Sequence, residues 1–131
     1  PYFLPDFYKS TILKSSRLVN DATTDRCKKK INDISLSNKS KRIVLLGLTY
    51  KEDCNDIRNS PALKIFKSLN KNCKNIYACD PHFENNYNKF DKIKIILMEK
   101  IKSKDILILL VKHKAFNKLL MKMKNQLIYI I

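Results

Sequence analysis

Glycine is nearly absent from this chain of 131 residues, because Gly47 is the only one. A single glycine excludes the G-x-G-x-x-G dinucleotide fingerprint and the Walker loop within the chain, since both need several glycines where the backbone approaches phosphate. The four cysteines form no C-x-x-C pair, which favours reduced thiols in a cytoplasmic protein over a disulfide framework. A zinc site that joins these cysteines to His82 and His113 has no support in the spacing. The longest apolar run, residues 106–111, is far shorter than the roughly 20 residues of a membrane span.

Arginine is also scarce, because only 4 of the 27 basic residues are arginines and the others are lysines. The formal net charge of +15 would suit a nucleic-acid-binding protein. The lysines, however, are scattered through a chain rich in Asn and Ile, as a compositional bias would produce. We therefore expect nonspecific, salt-sensitive binding to nucleic acid rather than a dedicated surface for it.

Strand and helix signals alternate from residue 41 onward. Strands are predicted at residues 41–46, 75–79, 105–111 and 127–131, with a short one at 92–98; helices at 60–70 and 115–124, with a helical turn at 98–102; and a loop at 82–92. This order predicts an α/β fold in which a Rossmann-like parallel sheet has flanking helices. The strand at 41–46 is apolar on both faces and should lie near the centre of the sheet.

A helical segment should precede this sheet. The apolar positions across residues 15–34 approximate a helical stripe that is interrupted around Thr23 and Thr24. Residues 35–40 are polar and are typical of a linker.

The most informative stretch is the polar loop and helix start at residues 47–63. It follows an apolar run, and it leads into a helix through Ser60, which can accept from the first amides, and Pro61, which suits the first helical position. In a parallel sheet such a loop lies beyond the carboxyl end of a strand, where ligands bind. Its charged residues include Lys51, Asp53, Asp56 and Arg58. We expect this loop to hold an anion in a fixed pose.

This loop resembles the C-terminal, UDP-binding domain of the nucleotide-sugar 6-dehydrogenases, the UDP-glucose/GDP-mannose dehydrogenase family. The family signature is roughly Gly-Leu-Ala-Phe-Lys, a spacer, then Asp-Asp-x-Arg-x-Ser-Pro-Ala, and here residues 47–51 read GLTYK and residues 55–62 read NDIRNSPA. Further similarities follow in the family's order. Residues 1–4 (PYFL) resemble the end of its catalytic segment, residues 16–21 (SRLVND) its Arg-x-x-Asn-Asp helix, residues 80–81 its Asp-Pro, and residues 111–116 (VKHKAF) the His-x-x-Phe of the N-acetylhexosamine branch.

The resemblance implies roles for four residues of the loop. Tyr50 and Lys51 match a Phe-Lys pair that contacts the UDP-sugar, Arg58 matches an arginine that reaches towards NAD, and Asp56 would orient Arg58. Lysine offers a mobile point charge and arginine a planar fork, and both suit phosphate. The residue types alone leave alternatives open, since Lys51 could be a solvated loop lysine and Arg58 could pair internally with Asp56 or Asp53.

Other polar positions also have two interpretations. Asp80 could meet a ribose hydroxyl at a strand end, or it could cap the following turn. His113 and Phe116 are expected to be structural, with a ligand contact as the alternative. Arg17, Asn20 and Asp21 could form a solvated helix face or part of a domain interface.

The resemblance implies NAD-dependent oxidation of a sugar C6 alcohol to a uronic acid, for polysaccharide biosynthesis, through a cysteine nucleophile. None of the four cysteines here has the context of that nucleophile, which would lie just before Pro1, so we expect this chain to be inactive alone. Residues 1–40 would be a helical connector from absent NAD-binding and central domains, and residues 41–131 a UDP-binding domain that stops before an Asp-x-Arg segment. The full-length enzyme is expected to be a homo-oligomer. The alternatives are a non-catalytic nucleotide-binding module or remnant, and a basic nucleic-acid-binding domain.

One departure from the family concerns backbone conformation. Relatives usually have a glycine after the first helix of this domain, where this chain has Cys73. If that position needs a positive φ, Cys73 is strained by about 1 kcal/mol. Asn72 could instead provide the left-handed cap.

Overall fold

The computed structural model describes residues 11–82, 94–123 and 128–130. The elements in chain order are α1 (Thr11–Ser37), β1 (Ile43–Leu46), α2 (Pro61–Asn72), β2 (Ile76–Cys79), a 3-10 turn (Met98–Lys100), β3 (Ile106–Leu109), α3 (Phe116–Lys122) and β4 (Ile128–Ile130). No helix among the described residues is long and apolar enough to cross a membrane. The residues 1–4 that carry part of the family resemblance lie outside the described ranges.

The four strands form one parallel sheet in the order β2-β1-β3-β4. Strand β1 is internal, with Ile43 beside Ile76 on one side and Ile106 on the other, and all four of its residues are buried. A strand that is apolar on both faces must be covered on both. The predicted α/β class, the parallel sheet and the central place of the first strand are all confirmed.

Alternate residues of β1, β2 and β3 face two separate apolar layers. Leu45 of β1 packs in the layer that contains Ile31 of α1 and Phe66 of α2. Leu46 packs in the opposite layer with Phe116 of α3. The sheet is therefore covered by α1 and α2 on one face and by α3 on the other, so the carboxyl ends of its strands remain available for a site.

The predicted helical segment is confirmed, and the gap in its apolar stripe around Thr23 and Thr24 does not interrupt the helix. Helix α1 runs without a break, because the hydroxyls of Thr23 and Thr24 donate to the carbonyls of Val19 and Asn20, one turn earlier, instead of competing with the helix from outside. The linker predicted at residues 35–40 is wrong in its first half, where the helix continues to Ser37.

Two predicted strands and one predicted conformation differ from the structure. The strand predicted at 92–98 is reduced to one bridge between Ile95 and Ala78, and the predicted strand at 105–111 ends at Leu109. Residues 83–92 of the predicted loop and the first two residues of the strand predicted at 92–98 lie outside the described residues. Cys73 caps α2 with an extended backbone, φ −112° and ψ 115°, and Asn72 also lacks a positive φ. No left-handed residue is needed after α2, because the Cys73 amide bonds back to the Leu69 carbonyl and the chain turns directly into the next strand.

Candidate functional site

The site begins where β1 ends, at Gly47. Gly47 has a φ of +87°, a conformation that L-residues with a side chain adopt at a cost, and its amide donates to the Cys79 carbonyl at 2.9 Å. The backbone of Val111 lies directly against its Cα, so a Cβ built there would stand 2.3 Å from the Val111 oxygen. The glycine lets the chain leave β1 in close contact with the segment that follows β3.

The far end of the loop is fixed by the start of α2. Ser60 is buried and caps the helix, because its Oγ accepts from the Leu63 amide at 3.2 Å. The same hydroxyl donates to the carbonyl of Leu48 at 2.7 Å, with the Thr49 carbonyl at 3.1 Å. The predicted cap is confirmed, and it also ties the first residues of the loop to its last.

Asp80 holds the loop from the neighbouring strand. Its carboxylate is 1% exposed and accepts from the amides of Leu48 at 2.6 Å and His82 at 2.9 Å. It also lies 3.2 Å from Nε2 of His113. Burial is the largest influence and opposes the charged form, but the hydrogen bonds from His113 and from the two amides outweigh it, so the pKa of Asp80 lies below its ordinary value. In this structure the capping alternative for Asp80 holds, since its oxygens are used within the protein.

His113 connects the segment after β3 to the middle of the loop. The ring is fully buried; Nδ1 accepts from the Asp53 amide at 3.0 Å, and Nε2 lies 3.1 Å from Oγ1 of Thr49. The Thr49 hydroxyl is also 2.8 Å from the Lys51 carbonyl, to which it donates. His113 and Phe116 are both buried, and their rings contact each other edge to face at 5.5 Å. These contacts within the protein agree with the structural role expected of both residues.

The loop borders a large cleft that it shares with α1. The cleft has a volume of about 1090 Å³. Its lining includes all four predicted site residues, Tyr50, Lys51, Asp56 and Arg58, together with Asn20, Asp21 and Lys28 of α1. The structure therefore brings the predicted loop residues to one cavity and adds polar groups of the helix.

Tyr50 and Lys51 also border a second, smaller recess. This recess lies beyond the carboxyl ends of β1 and β3 and is lined as well by residues 109–112. Tyr50 is 49% exposed, and the Lys51 ammonium lies 5.9 Å from the centre of its ring. Both side chains are thus presented to solvent at the place where a parallel sheet binds its ligands.

Arg58 and Asp56 form a bidentate salt bridge on the wall of the large cleft. Nε and Nη2 of Arg58 donate to the two Asp56 oxygens at 3.0 and 2.9 Å. These hydrogen bonds, with a further one from the Arg58 amide, lower the pKa of Asp56 to about 2. The Arg58 side chain remains 86% exposed. Arg58 therefore pairs with Asp56 and is still exposed to solvent. Asp56 can orient the guanidinium, and the edge of the guanidinium that does not contact Asp56 faces the cleft.

Asp53, His82 and His113 bring three possible metal-binding atoms within 4.8 Å of one another. Their contacts are those of hydrogen bonding. Nδ1 of His113 already accepts from the Asp53 amide, and Oδ1 of Asp53 accepts from the Lys114 amide at 2.9 Å. Two of the three possible metal ligands are therefore already occupied by hydrogen bonds within the protein. The cluster serves to hold the conformation of the loop.

Sequence reasoning missed the way His113, Thr49 and Asp80 act together. The sequence predicts a strand end at Asp80 and a structural role for His113, but nothing in their spacing shows that both contact the loop after β1. The available signal was topological, because the ends of adjacent parallel strands meet at one edge of the sheet.

Known proteins share this sequence and this fold. Residues 44–129 match the family model described as "UDP-glucose/GDP-mannose dehydrogenase family, UDP binding domain". The chain is 33% identical over 117 residues to the UDP-N-acetyl-D-mannosamine dehydrogenase of Campylobacter jejuni. The aligned segment covers 82% of this chain and 28% of that protein. The chain is 26% identical over 123 residues to an NDP-N-acetyl-D-galactosaminuronic acid dehydrogenase of Ralstonia solanacearum, with 91% and 29% covered.

A solved structure supports the same relation. A structure of the UDP-N-acetyl-mannosamine dehydrogenase Cap5O from Staphylococcus aureus superimposes with a TM-score of 0.63 at 25% identity, covering 86% of this chain and 28% of that one. The chain thus spans less than a third of the length of these relatives.

Proposed function

The chain belongs to the UDP-glucose/GDP-mannose dehydrogenase family, whose UDP-binding domain it contains, and from this we propose that it binds the uridine diphosphate part of a UDP-N-acetylhexosamine. The relatives whose names give a substrate act on N-acetylated sugars, and this supports an acetamido sugar over glucose. The associated reaction would be the NAD-dependent oxidation of the sugar C6 alcohol to a uronic acid.

The observation that carries the proposal is the position of Lys51. It stands on a loop whose two ends are fixed, by Gly47 at the strand and by Ser60 at the helix. Its own carbonyl is held by Thr49, while its side chain is exposed beyond the carboxyl ends of the central strands. A fixed backbone with a mobile cationic end suits the pyrophosphate of a nucleotide sugar, and Tyr50 beside it offers a ring against which a base or sugar can pack.

Arg58 is proposed as the contact to NAD. It lines the larger cleft but not the recess over the strand ends, so substrate contact at Lys51 and cofactor contact at Arg58 can be separate. The residues present fit one contact to the cofactor rather than its whole binding site, because a single glycine cannot supply the dinucleotide fingerprint. NAD, when bound, would accept the hydride, and the guanidinium held by Asp56 would pair with its pyrophosphate.

Substitution of Lys51 tests the nucleotide site. If Lys51 holds a phosphate, Lys51→Ala should weaken UDP binding by about 1.5–3 kcal/mol, roughly 10- to 150-fold, the range for hydrogen bonds to charged groups. Isothermal titration at low salt measures the change. Uridine lacks phosphate, so it should bind weakly and respond little to the same substitution.

The matched control is Lys122→Ala, which removes an exposed lysine at the end of α3. This variant should bind UDP about as tightly as the unmodified chain. Equal losses in the two variants would mean that UDP is attracted by diffuse positive charge, and the assignment of Lys51 would be wrong.

Catalysis by this chain alone is not expected. With NAD and a UDP-N-acetylhexosamine it should produce no NADH above the background of a reaction without protein, because the fingerprint glycines are absent and no cysteine has the context of the nucleophile. Absorbance by NADH that depends on both substrates would contradict this and would require a second mode of NAD binding.

A further inference from the structure

His113 occupies an unusual position for a residue that is expected to be structural. It is fully buried, and its two ring nitrogens contact two different parts of the structure. Nδ1 accepts from the Asp53 amide in the middle of the loop, while Nε2 lies against Thr49 and Asp80 at the ends of β1 and β2. The ring therefore joins the loop that carries Lys51 to the rigid edge of the sheet.

The hydrogen bonds define the protonation state that this arrangement requires. A backbone N–H can only donate, so Nδ1 must carry a lone pair where it meets the Asp53 amide. The neutral ring then has its proton on Nε2, which can donate to the Asp80 carboxylate 3.2 Å away. The Thr49 hydroxyl, 3.1 Å from Nε2, can direct its own proton to the Lys51 carbonyl. Neutral His113 thus satisfies all of these contacts together.

A second proton would break one of them. It would have to reside on Nδ1, where it would meet the Asp53 N–H. Within the described part of the chain, the charged groups around the ring are the carboxylates of Asp80 and Asp53 and the Lys114 ammonium, which lies 3.8 Å from Asp53. The titratable ring of His82 lies 4.9 Å from the His113 ring, measured between their centres. Phe116 closes the remaining side without a charge.

The Asp53 carboxylate is the available alternative partner. Its Oδ1 lies 3.9 Å from Nδ1, too far for a hydrogen bond in the present conformation. Asp53 also has a φ of +50°, a conformation that the surrounding contacts must maintain. Protonation would therefore replace the amide by the carboxylate as the partner of Nδ1, and the turn at Asp53, two residues after Lys51, would have to change.

We propose that neutral His113 is a positioning residue that holds the Lys51 loop in its ligand-binding conformation, and that protonation of His113 releases this loop. The proposal rests on the proposed function, because the ligand is the UDP-sugar assigned to Lys51. It adds a pH-dependent control of affinity through a residue that does not itself touch the ligand.

Two substitutions separate the two sides of the ring. In His113→Asn the amide oxygen replaces Nδ1 and can still accept from the Asp53 amide, but the side chain no longer titrates. In His113→Gln the terminal amide replaces Nε2 and keeps the contact to Asp80, while the acceptor for Asp53 is lost. The affinity for UDP-N-acetylglucosamine would be measured by titration calorimetry between about pH 5 and 8, the range in which histidines change charge. Both phosphates of this probe are esterified, so the probe itself does not titrate there.

The expected results differ for each protein. The unmodified chain should lose about tenfold in affinity as the pH falls. His113→Asn should bind about as well as the unmodified chain at the upper pH and should show a flat pH profile. His113→Gln should be about tenfold weaker at every pH, and the control His82→Gln should keep the pH dependence of the unmodified chain. Equal losses in the two His113 variants, or a pH dependence that persists in His113→Asn, would overturn the proposal.

A measurement on the unmodified chain keeps the test independent of both folding of the variants and UDP binding. Long-range ¹H–¹⁵N spectra of the His113 ring should show an unprotonated Nδ1 at the upper pH, and the amide resonances of Lys51 and Asp53 should shift together with protonation of the ring. If no UDP-sugar binds at any pH, the proposed function fails, and these spectra alone decide whether His113 holds the loop. A protonated Nδ1 in the neutral ring would refute the positioning role. So would amide resonances of Lys51 and Asp53 that do not shift when the ring is protonated.

Discussion

At the scale of single residues, Gly47 has the most direct effect on the geometry of the site. It is the one glycine that this lysine- and isoleucine-rich chain contains, and it stands where a side chain fits neither the backbone conformation nor the space. Besides the Val111 oxygen, the Val111 Cβ would lie 2.7 Å from an added Cβ. Since the neighbouring atoms belong to or adjoin the backbone, they cannot move aside without displacing the segment that leads to His113.

We expect Gly47→Ala to destabilise the protein by at least about 2 kcal/mol, because the left-handed conformation alone costs about 1–2 kcal/mol and the clash adds to it. Urea unfolding followed by circular dichroism would measure the loss. Lys118→Ala, an exposed position on α3, is the control and should change stability by less than about 0.5 kcal/mol. An unchanged unfolding midpoint for Gly47→Ala would show that the turn relaxes more easily than its contacts indicate.

Residues that obey local rules could be predicted from the sequence, and residues that depend on distant partners could not. The cap by Ser60 follows from its position before Pro61. Among residues with a side chain, Asp and Asn are the types that tolerate the positive φ of Asp53 and Asn59 best. The loop that requires this conformation is fixed by His113, 60 positions away from Asp53. Resemblance to a family motif located Tyr50, Lys51, Asp56 and Arg58 on one loop, and the shared cleft with α1 needed the tertiary structure.

At the scale of elements, the alternation of apolar strands and amphipathic helices was sufficient to predict the sheet, whereas element ends were less predictable. The sequence predicts a linker from residue 35 onward, yet Ser35 is buried and donates to the Asn75 side chain at 2.6 Å. That contact lets the last turn of α1 dock beside β2. A polar sequence does not reveal such a partner 40 positions later.

An ion pair joins the amino-terminal ends of the two central strands, opposite the strand ends that carry the site. Nε and Nη2 of Arg42 donate to the two oxygens of Asp105, at 3.0 and 2.6 Å, just before β1 and β3 begin. Asp105 is buried and also accepts from the Lys102 amide, while Arg42 reaches the Lys100 carbonyl. The pair therefore joins the starts of the two central strands to the turn between the 3-10 segment and β3.

Removal of one partner should be costly because the other remains desolvated. We expect Arg42→Met, which keeps most of the apolar stem, to lower the free energy of unfolding by about 1.5–3 kcal/mol, the range for charge-assisted hydrogen bonds. The control is Lys28→Met, which breaks the exposed pair with Asp25 and should cost less than about 1 kcal/mol. Similar losses in the two variants, measured by urea unfolding, would mean that the Arg42 pair is no stronger than a surface contact.

At the scale of the whole molecule, the net charge of +15 and the specific site act on anions in different ways. Diffuse positive charge attracts any polyanion and releases its counterions, so the affinity falls steeply with salt. A ligand held by one lysine on a fixed loop depends on geometry as well, and its affinity should fall much less. The two contributions can therefore be separated by measuring affinity at different salt concentrations.

UDP and a short DNA duplex should respond differently as the salt concentration rises from about 50 to 200 mM. Over this range, proteins that neutralise many phosphates lose about 10³–10⁵ in affinity. Binding of the duplex should weaken steeply and UDP binding only slightly. Lys51→Ala should remove most UDP binding while changing the salt slope for the duplex by no more than about one, the contribution of a single phosphate contact. If UDP showed the same steep salt dependence as the duplex, the fixed loop would have no part in binding, and the general charge of the surface would account for both ligands.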